Sequence, residues 1–349
     1  MSEIFCIGNP VVDVFVDIDS ALAKKYGIVD PVQHISGEQA ESFLRESAVD
    51  ITKAVKSSGG GAANVAKIAA MLGMNAAFSG CAGQDELASI FEKEVTDAGA
   101  SVILAKSNEK TGICFACNVD GQLRFAASPR AALELNESHI SKDLLAGAEV
   151  VVLDGYILDR RPLVQHILTL ASRLGIPVAL DAASVFQVLS KAEEILTYSR
   201  SYPLFIFMNA DETIAFYNTI RKTHDKESVL TEKEKEEMII RDICPMLKII
   251  TDGELFPIIV VKLGGRGAVV IAGGNVYRED TFAIIPRNTV GAGDAFCAAF
   301  ISAWLRDNSL SECAALGNKV AREILEVPGT HIKSGKLKSF AKILQNRLQ

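Results

Sequence analysis

Short apolar runs recur along the chain with helical patterns between them. Ile4 to Ile7, Ala76 to Cys81, Val150 to Leu153, Pro177 to Leu180, Leu204 to Met208, Ile258 to Val261 and Ala268 to Ile271 each predict a strand. Ala62 to Leu72, closed by Gly73, and Leu87 to Ala98, closed by Gly99, have helical periodicity, as does Pro162 to Leu174. Strand and helix in alternation imply right-handed βαβ units and a mainly parallel sheet. Two segments break this rhythm. Val11 to Asp19 alternates, with Val12, Val14, Val16 and Ile18 facing one way and Asp13, Phe15, Asp17 and Asp19 the other. Gly112 to Asn118 and Gln122 to Ala127 flank Asp120-Gly121, a hairpin signal. Both fit a small sheet with one open face, the acidic side of Val11 to Asp19 lying outward. The expected architecture is a three-layer α/β/α single domain over 1–349. A small β-sheet lid is expected from about 11–50 and 110–130.

The most polar stretch runs from Tyr217 to Phe256, where Thr231-Glu232-Lys233-Glu234 forms a capping box that opens an amphipathic helix. A formal charge of −7 excludes broad nucleic-acid or anionic-membrane binding. No apolar run is long enough to span a bilayer. The start, Met1-Ser2-Glu3-Ile4-Phe5, has no basic leader and reads as the mature end of a cytoplasmic protein. Seven scattered cysteines fit reduced, buried thiols. Cys114 and Cys117 have the spacing of a metal pair but lie inside an apolar strand pattern without a partner pair. The five histidines, including His224 and His331, share no ligand spacing, and Trp304 sits on a core-facing helix.

Chemistry concentrates in Asn288-Thr289-Val290-Gly291-Ala292-Gly293-Asp294, just before the apolar helix Ala295 to Leu305. Small residues let backbone N–H groups converge, and a helix N-terminus adds partial positive charge. Gly291, Ala292 and Gly293 would make an anion hole for a phosphoryl group in transfer, and Asp294 would take the proton of an attacking alcohol. Alone, the segment equally fits a turn capped by Asp294. Ser58-Gly59-Gly60-Gly61-Ala62-Ala63-Asn64 opens another Ala-rich helix. Its glycines permit close approach of a ligand, and Asn64 would face that ligand from the first turn.

Together with Gly8-Asn9-Pro10-Val11-Val12-Asp13, these segments resemble the ribokinase-like (PfkB) carbohydrate kinase family, from Ile4 to about His331, with features of its adenosine kinase branch. The resemblance implies an ATP-dependent kinase that phosphorylates a hydroxymethyl group of a sugar, of the ribokinase, fructokinase or ketodeoxygluconate kinase type. An adenosine or other nucleoside kinase is the alternative. It implies Asp294 as catalytic base with Gly291, Ala292 and Gly293 as the anion hole. Asp13, Asn9, Gly60, Gly61 and Asn64 would hold the acceptor. Asn209, Glu212, Lys262, Gly264, Gly267 and Asn318 would line the nucleotide, with Glu212 near Mg2+ through water. Val327-Pro328-Gly329 resembles a loop that often binds a monovalent cation such as K+. A small-molecule partner and a monomer or homodimer are expected. Asn288 stands where the family usually has Asp, and the polar 217–256 segment is longer than usual.

A dinucleotide-dependent oxidoreductase would also use glycine-rich turns, but Gly59-Gly60-Gly61 lacks the G-x-G-x-x-G spacing. A non-enzymatic sensor on the same fold would have no need of Asp294. The expected acceptor is not a sugar phosphate. Val11 to Asp19 carries three aspartates and no base, and Arg124 and Arg130 could serve at most one carboxylate. Phe15 and Phe125 could stack on a base or pack between lid and core.

Overall fold

The structure is a computed structural model that describes residues 2–29, 32–47, 49–222, 230–252, 256–282, 284, 290–326, 337, 339–341 and 344. From Ile4–Ile7 (β1) the chain leaves for a smaller sheet through Val11–Ile18 (β2), Ser20–Lys25 (α1), Val32–His34 (β3), Gly37–Glu46 (α2) and Lys56–Gly59 (β4). Gly61–Met71 (α3) leads back to Ala76–Ala82 (β5), Glu86–Asp97 (α4) and Ser101–Lys106 (β6). A second excursion forms the hairpin Gly112–Val119 (β7) and Gln122–Ser128 (β8). Then follow Lys142–Leu145 (α5), Val150–Asp154 (β9), Arg161–Arg173 (α6), Val178–Asp181 (β10), Val185–Ser201 (α7), Leu204–Asn209 (β11) and Ala210–Arg221 (α8). Glu232–Met238 (α9) and Cys244–Ile250 (α10) precede Ile258–Lys262 (β12), Ala268–Ala272 (β13) and Asn275–Glu279 (β14), and Ala292–Trp304 (α11) and Leu310–Leu325 (α12) complete the order.

The large sheet runs β14-β13-β12-β11-β10-β9-β1-β5-β6, parallel except for the β12-β13-β14 meander. The strands are buried on both faces because alternate residues feed different cores. Ile4 and Cys6 join the layer of α3, α11 and α12, while Phe5 and Ile7 join that of α6 and α7. Strand order reverses at β1, whose neighbours are β5 and β9. Ligands of open parallel sheets bind outside the carboxyl ends at such a reversal. Among the described residues, no helix is long and apolar enough to cross a membrane.

The smaller sheet, β3-β8-β7-β2-β4, is larger than the sequence pattern suggests. Its β4 reads Lys-Ser-Ser-Gly, without an apolar pattern, and exists because β2 pairs with it antiparallel, Val11 opposite Gly59. The β7–β8 turn is as expected, with Asp120 and Gly121 at positive φ. The outward acidic face of β2 is found only in part, at Asp17 and Asp19. Asp17 is exposed, but Asp13 is 8 % exposed, because its side chain turns onto Gly59 of β4. Cys114 and Cys117, three apart on β7, lie on opposite faces of the strand. Trp304 packs edge-on to Phe205, with ring centroids 5.0 Å apart.

Candidate active site

The carboxyl ends of four parallel strands place polar side chains in one row. Asp154 of β9 stands beside Asp181 of β10, and Asn209 of β11 beside Lys262 of β12. The N-termini of α3 and α11 close on this row. Helix α11 begins at Ala292, so Asp294 lies within its first turn and does not cap it. Gly291 is the N-cap, at φ 79°, and makes no side-chain cap bond. The amides of Ala292, Gly293 and Asp294 therefore have no intrahelical acceptor, which is the condition for an anion hole.

Helix α3 brings Asn64 to the same point, where its Nδ2 donates to Asp294 Oδ2 at 2.8 Å. A Cβ on Gly61 would stand 3.3 Å from Asp294 Oδ1 and 3.5 Å from Asp154 Oδ2, so the space above this glycine opens toward two carboxylates. Gly60 has φ 96°, and a Cβ there would meet the Asn9 carbonyl oxygen at 2.4 Å. On the far side, Lys262 Nζ donates to Asp181 Oδ2 at 2.6 Å and lies 3.3 Å from where a Gly293 Cβ would be. The ammonium thus borders the first turn of α11.

Burial pushes the Asp294 carboxyl up to about 7, and the neighbouring charge of Asp181 adds to the rise. The Asn64 amide and the Lys262 charge partly offset it. A base poised there balances ionisation against proton affinity at neutral pH. Activity should accordingly fall as pH drops through about 7, because protonated Asp294 cannot accept a proton. A pH–rate profile with kcat/KM falling about tenfold per pH unit on the acid side checks this. A profile flat from roughly pH 5.5 to 8 would remove Asp294 from the role.

On the side of the smaller sheet, Asp13 faces Gly59, and burial raises its carboxyl to about 6, with Lys67 acting in the opposite sense. Asn9 Oδ1 accepts from Arg160 Nη2 at 2.6 Å, and Arg160 Nη1 also donates to the Ala132 carbonyl, tying the loop after β1 to the segment after β8. The His34 and Tyr156 rings meet edge-on at 5.5 Å, so an aromatic pair bridges the smaller sheet and the end of β9.

The expected nucleotide side is assembled around β12–β13–β14. Gly264 and Gly267 shape the β12–β13 turn at positive φ. A Cβ on Gly267 would meet the Glu279 carbonyl oxygen, which also accepts from Asn318 Nδ2 at 3.3 Å. Glu212 has a more structural place than expected. Both its oxygens accept from Asn209, at 2.7 and 2.8 Å, in a capping box that starts α8. Burial and then Asp181 push it up to about 7. Helix α9, in the polar segment, is anchored over the turn by Glu236, which accepts from Arg266 and Arg278. Asn288, Val327-Pro328-Gly329, His224 and His331 lie outside the described residues.

Sequence reasoning missed Asp154, Asp181, Arg160 and Lys67. The two aspartates were findable, since each follows directly on a predicted apolar strand and the carboxyl ends of parallel strands hold the ligand. Arg160 and Lys67 carry no such signal.

The model of the pfkB family carbohydrate kinases matches residues 28–336. The adenosine kinase of Schizophyllum commune is 24 % identical, over 95 % of this chain and 97 % of its own length. The 5-dehydro-2-deoxygluconokinase of Bacillus subtilis (strain 168) is also 24 % identical, over 70 % of this chain and 73 % of its own. Among solved structures, adenosine kinase from Sinorhizobium meliloti superposes with a TM-score of 0.80 at 24 % identity, covering 98 % of this chain and 99 % of that one. A probable sugar kinase from Rhizobium etli CFN 42 superposes with a TM-score of 0.81 at 24 % identity, covering 99 % of both. At these identities the structural likeness shows the ribokinase-like fold.

Proposed function

The chain belongs to the pfkB family of carbohydrate kinases, and from that membership and the geometry at Asp294 we propose that it transfers the γ-phosphate of ATP to the primary hydroxyl of a nucleoside. It is a phosphotransferase with an alcohol group as acceptor. The observation that carries the proposed mechanism is the half-buried Asp294 carboxylate, held by Asn64 at 2.8 Å beside the first-turn amides of α11, which have no intrahelical acceptor.

In this reading the acceptor lies between Asp13, Asn9, Gly60, Gly61 and Asn64, under the smaller sheet acting as a lid. Its hydroxymethyl group enters the space above Gly61 and reaches Asp294. Asp294 takes the proton as the oxygen attacks the γ-phosphorus. The amides at Gly291 to Gly293 and the Lys262 ammonium stabilise charge on the phosphoryl oxygens. ATP lies along Lys262, Gly264, Gly267 and Asn318. Closure of the lid excludes water and protects ATP from hydrolysis.

The donor set suits a hard divalent cation. Mg2+ typically keeps several waters and takes one or two carboxylates besides substrate phosphates. Asp181, and Glu212 through water, would hold Mg2+, which would neutralise charge on the ATP phosphates. The segment 327–329, expected to bind a monovalent cation, lies outside the described residues.

The nucleoside is favoured over a bare sugar by the aromatic groups around the acceptor space. Tyr156 and His34 bridge the site floor and the smaller sheet. Phe186, 69 % exposed at the start of α7, lies just beyond the carboxyl end of β10. An exposed phenylalanine that follows a strand end of the site has a use if it covers a base. The full-length match to adenosine kinases supports the same choice. A sugar acid is the second reading, favoured by half-buried Arg160, whose Nε has no hydrogen-bond partner among the described residues and which already reaches Asn9. Initial rates of ADP formation with adenosine, other nucleosides, ribose, fructose, 5-dehydro-2-deoxygluconate and fructose 6-phosphate decide between them. A nucleoside should have the highest kcat/KM. A sugar acid ranked first would replace the nucleoside reading, and fructose 6-phosphate ranked first would also refute the charge argument for the lid.

A further inference from the structure

Lys67, in the second turn of α3, is 6 % exposed and has no place in the reaction described above. Its Nζ donates to the Ser58 carbonyl at 2.7 Å and to Ser58 Oγ at 2.9 Å. Glu94 of α4 reaches the same strand, its Oε2 accepting from Ser58 N at 2.6 Å and from Ser57 Oγ at 3.4 Å. A buried cation and a half-buried anion therefore grip β4 at consecutive residues, with no apolar side chain on that strand to hold it. The strand so held carries Gly59, whose Cα is packed so closely against the Asp13 carboxylate that a Cβ would stand 2.6 to 2.8 Å from its atoms.

We propose that Lys67 is a positioning residue for acceptor binding: it fixes β4 against Asp13 and supplies the buried countercharge that Asp13 needs to accept the acceptor's hydroxyl protons. The proposal rests on the reading that Asp13 binds the acceptor. Burying a carboxylate without a compensating charge drives it to the neutral form, which accepts hydrogen bonds less well. Four groups face Asp13 or Lys67 from the elements around them. Lys67 of α3 favours the ionised form of Asp13, and Glu94 of α4 opposes it. The Cys114 thiol of β7 donates to Asp13, and Asp294 of α11 feels the Lys67 charge at longer range. The arrangement makes two opposite demands on one titration. Removing the Lys67 charge should move the ionisation of Asp13 upward from about 6, and removing the Glu94 charge should move it downward.

The test is adenosine binding by calorimetry across roughly pH 5 to 8, without ATP and in the Asp294→Asn background, where Asp294 no longer titrates. Asp13→Asn identifies the limb that belongs to Asp13. Lys67→Met should shift the midpoint of that limb up by about one unit, Glu94→Gln should shift it down, and Lys67→Arg should restore it. ATP affinity should stay unchanged in all of them. A role confined to packing would weaken binding at every pH without moving the midpoint, and that outcome, or shifts of the same sign in the two charge variants, overturns the proposal. If Lys67→Met does not fold, the direction of the Glu94→Gln shift and the rescue by Lys67→Arg decide. If Asp13→Asn leaves adenosine binding unchanged, the reading of Asp13 itself fails. If adenosine does not bind the parent, the nucleoside reading fails and the series is run with the best acceptor of the rate panel.

Discussion

Asp294→Asn is expected to lower kcat by about 10²–10⁴ while ATP still binds. Asparagine preserves the shape of the side chain and keeps an oxygen for the Asn64 amide, which donates to Asp294 Oδ2 at 2.8 Å. The backbone of the anion hole is untouched, since Gly291 caps α11 without side-chain help. What the variant loses is the proton acceptor. The same substitution should not destabilise the fold. Asp294 is half-buried beside Asp181 and Asp154, and its carboxyl is raised from an ordinary 3.8 to about 7. A carboxylate whose folded pKa is raised costs stability when ionised, so the folded state loses ground as pH climbs from about 4 to about 7. The melting temperature of Asp294→Asn relative to the parent should therefore rise across that window. Single-turnover kinetics and thermal melts at several pH values check both halves. A purified variant that keeps more than about a tenth of the parent kcat would end the assignment.

How much of this was legible in the sequence depends on whether a residue's role is set locally. Gly291, Gly293 and Asp294 were readable because a helix N-terminus advertises itself through its neighbours. Asn64 was readable for the same reason, lying in the first turn after three glycines. The parallel sheet followed from seven apolar runs and the helices between them. The polar strand β4 was not readable. Ser57 and Ser58 are buried through partners 9 to 37 residues away in sequence, Lys67 and Glu94. Asp13 was placed on an outward face but is buried against Gly59, because period-two alternation reports which residues share a side and not which side is covered. Asn209 and Glu212 illustrate the converse. Their spacing drew attention for phosphate chemistry, yet three residues is also the spacing of a capping box, and the structure shows that box.

Lys262 presents the other large effect. Its ammonium pairs with Asp181 at 2.6 Å and borders Gly293, so it has two duties that one variant would confuse. Lys262→Met should lower kcat by about 10²–10³, the range for loss of one electrostatic stabiliser at a transferring group. It should also destabilise the fold, toward the lower end of the roughly 3–5 kcal/mol typical of a broken buried pair, since both side chains keep some exposure. Part of the kinetic loss at neutral pH would be indirect. Lys262 holds the Asp294 carboxyl down, so without it the acid limb of the pH–rate profile should move above about 7. Asp181→Asn added to Lys262→Met separates these contributions. It removes the orphaned carboxylate, which returns most of the stability, and it removes the charge that raises Asp294, which brings the limb back. The charge owed to the phosphoryl oxygens stays missing and the carboxylate proposed for Mg2+ is lost with it, so the plateau kcat of the double variant should remain low. Recovery of that plateau to the parent value would show that Lys262 serves only Asp181 and has no part in phosphoryl transfer.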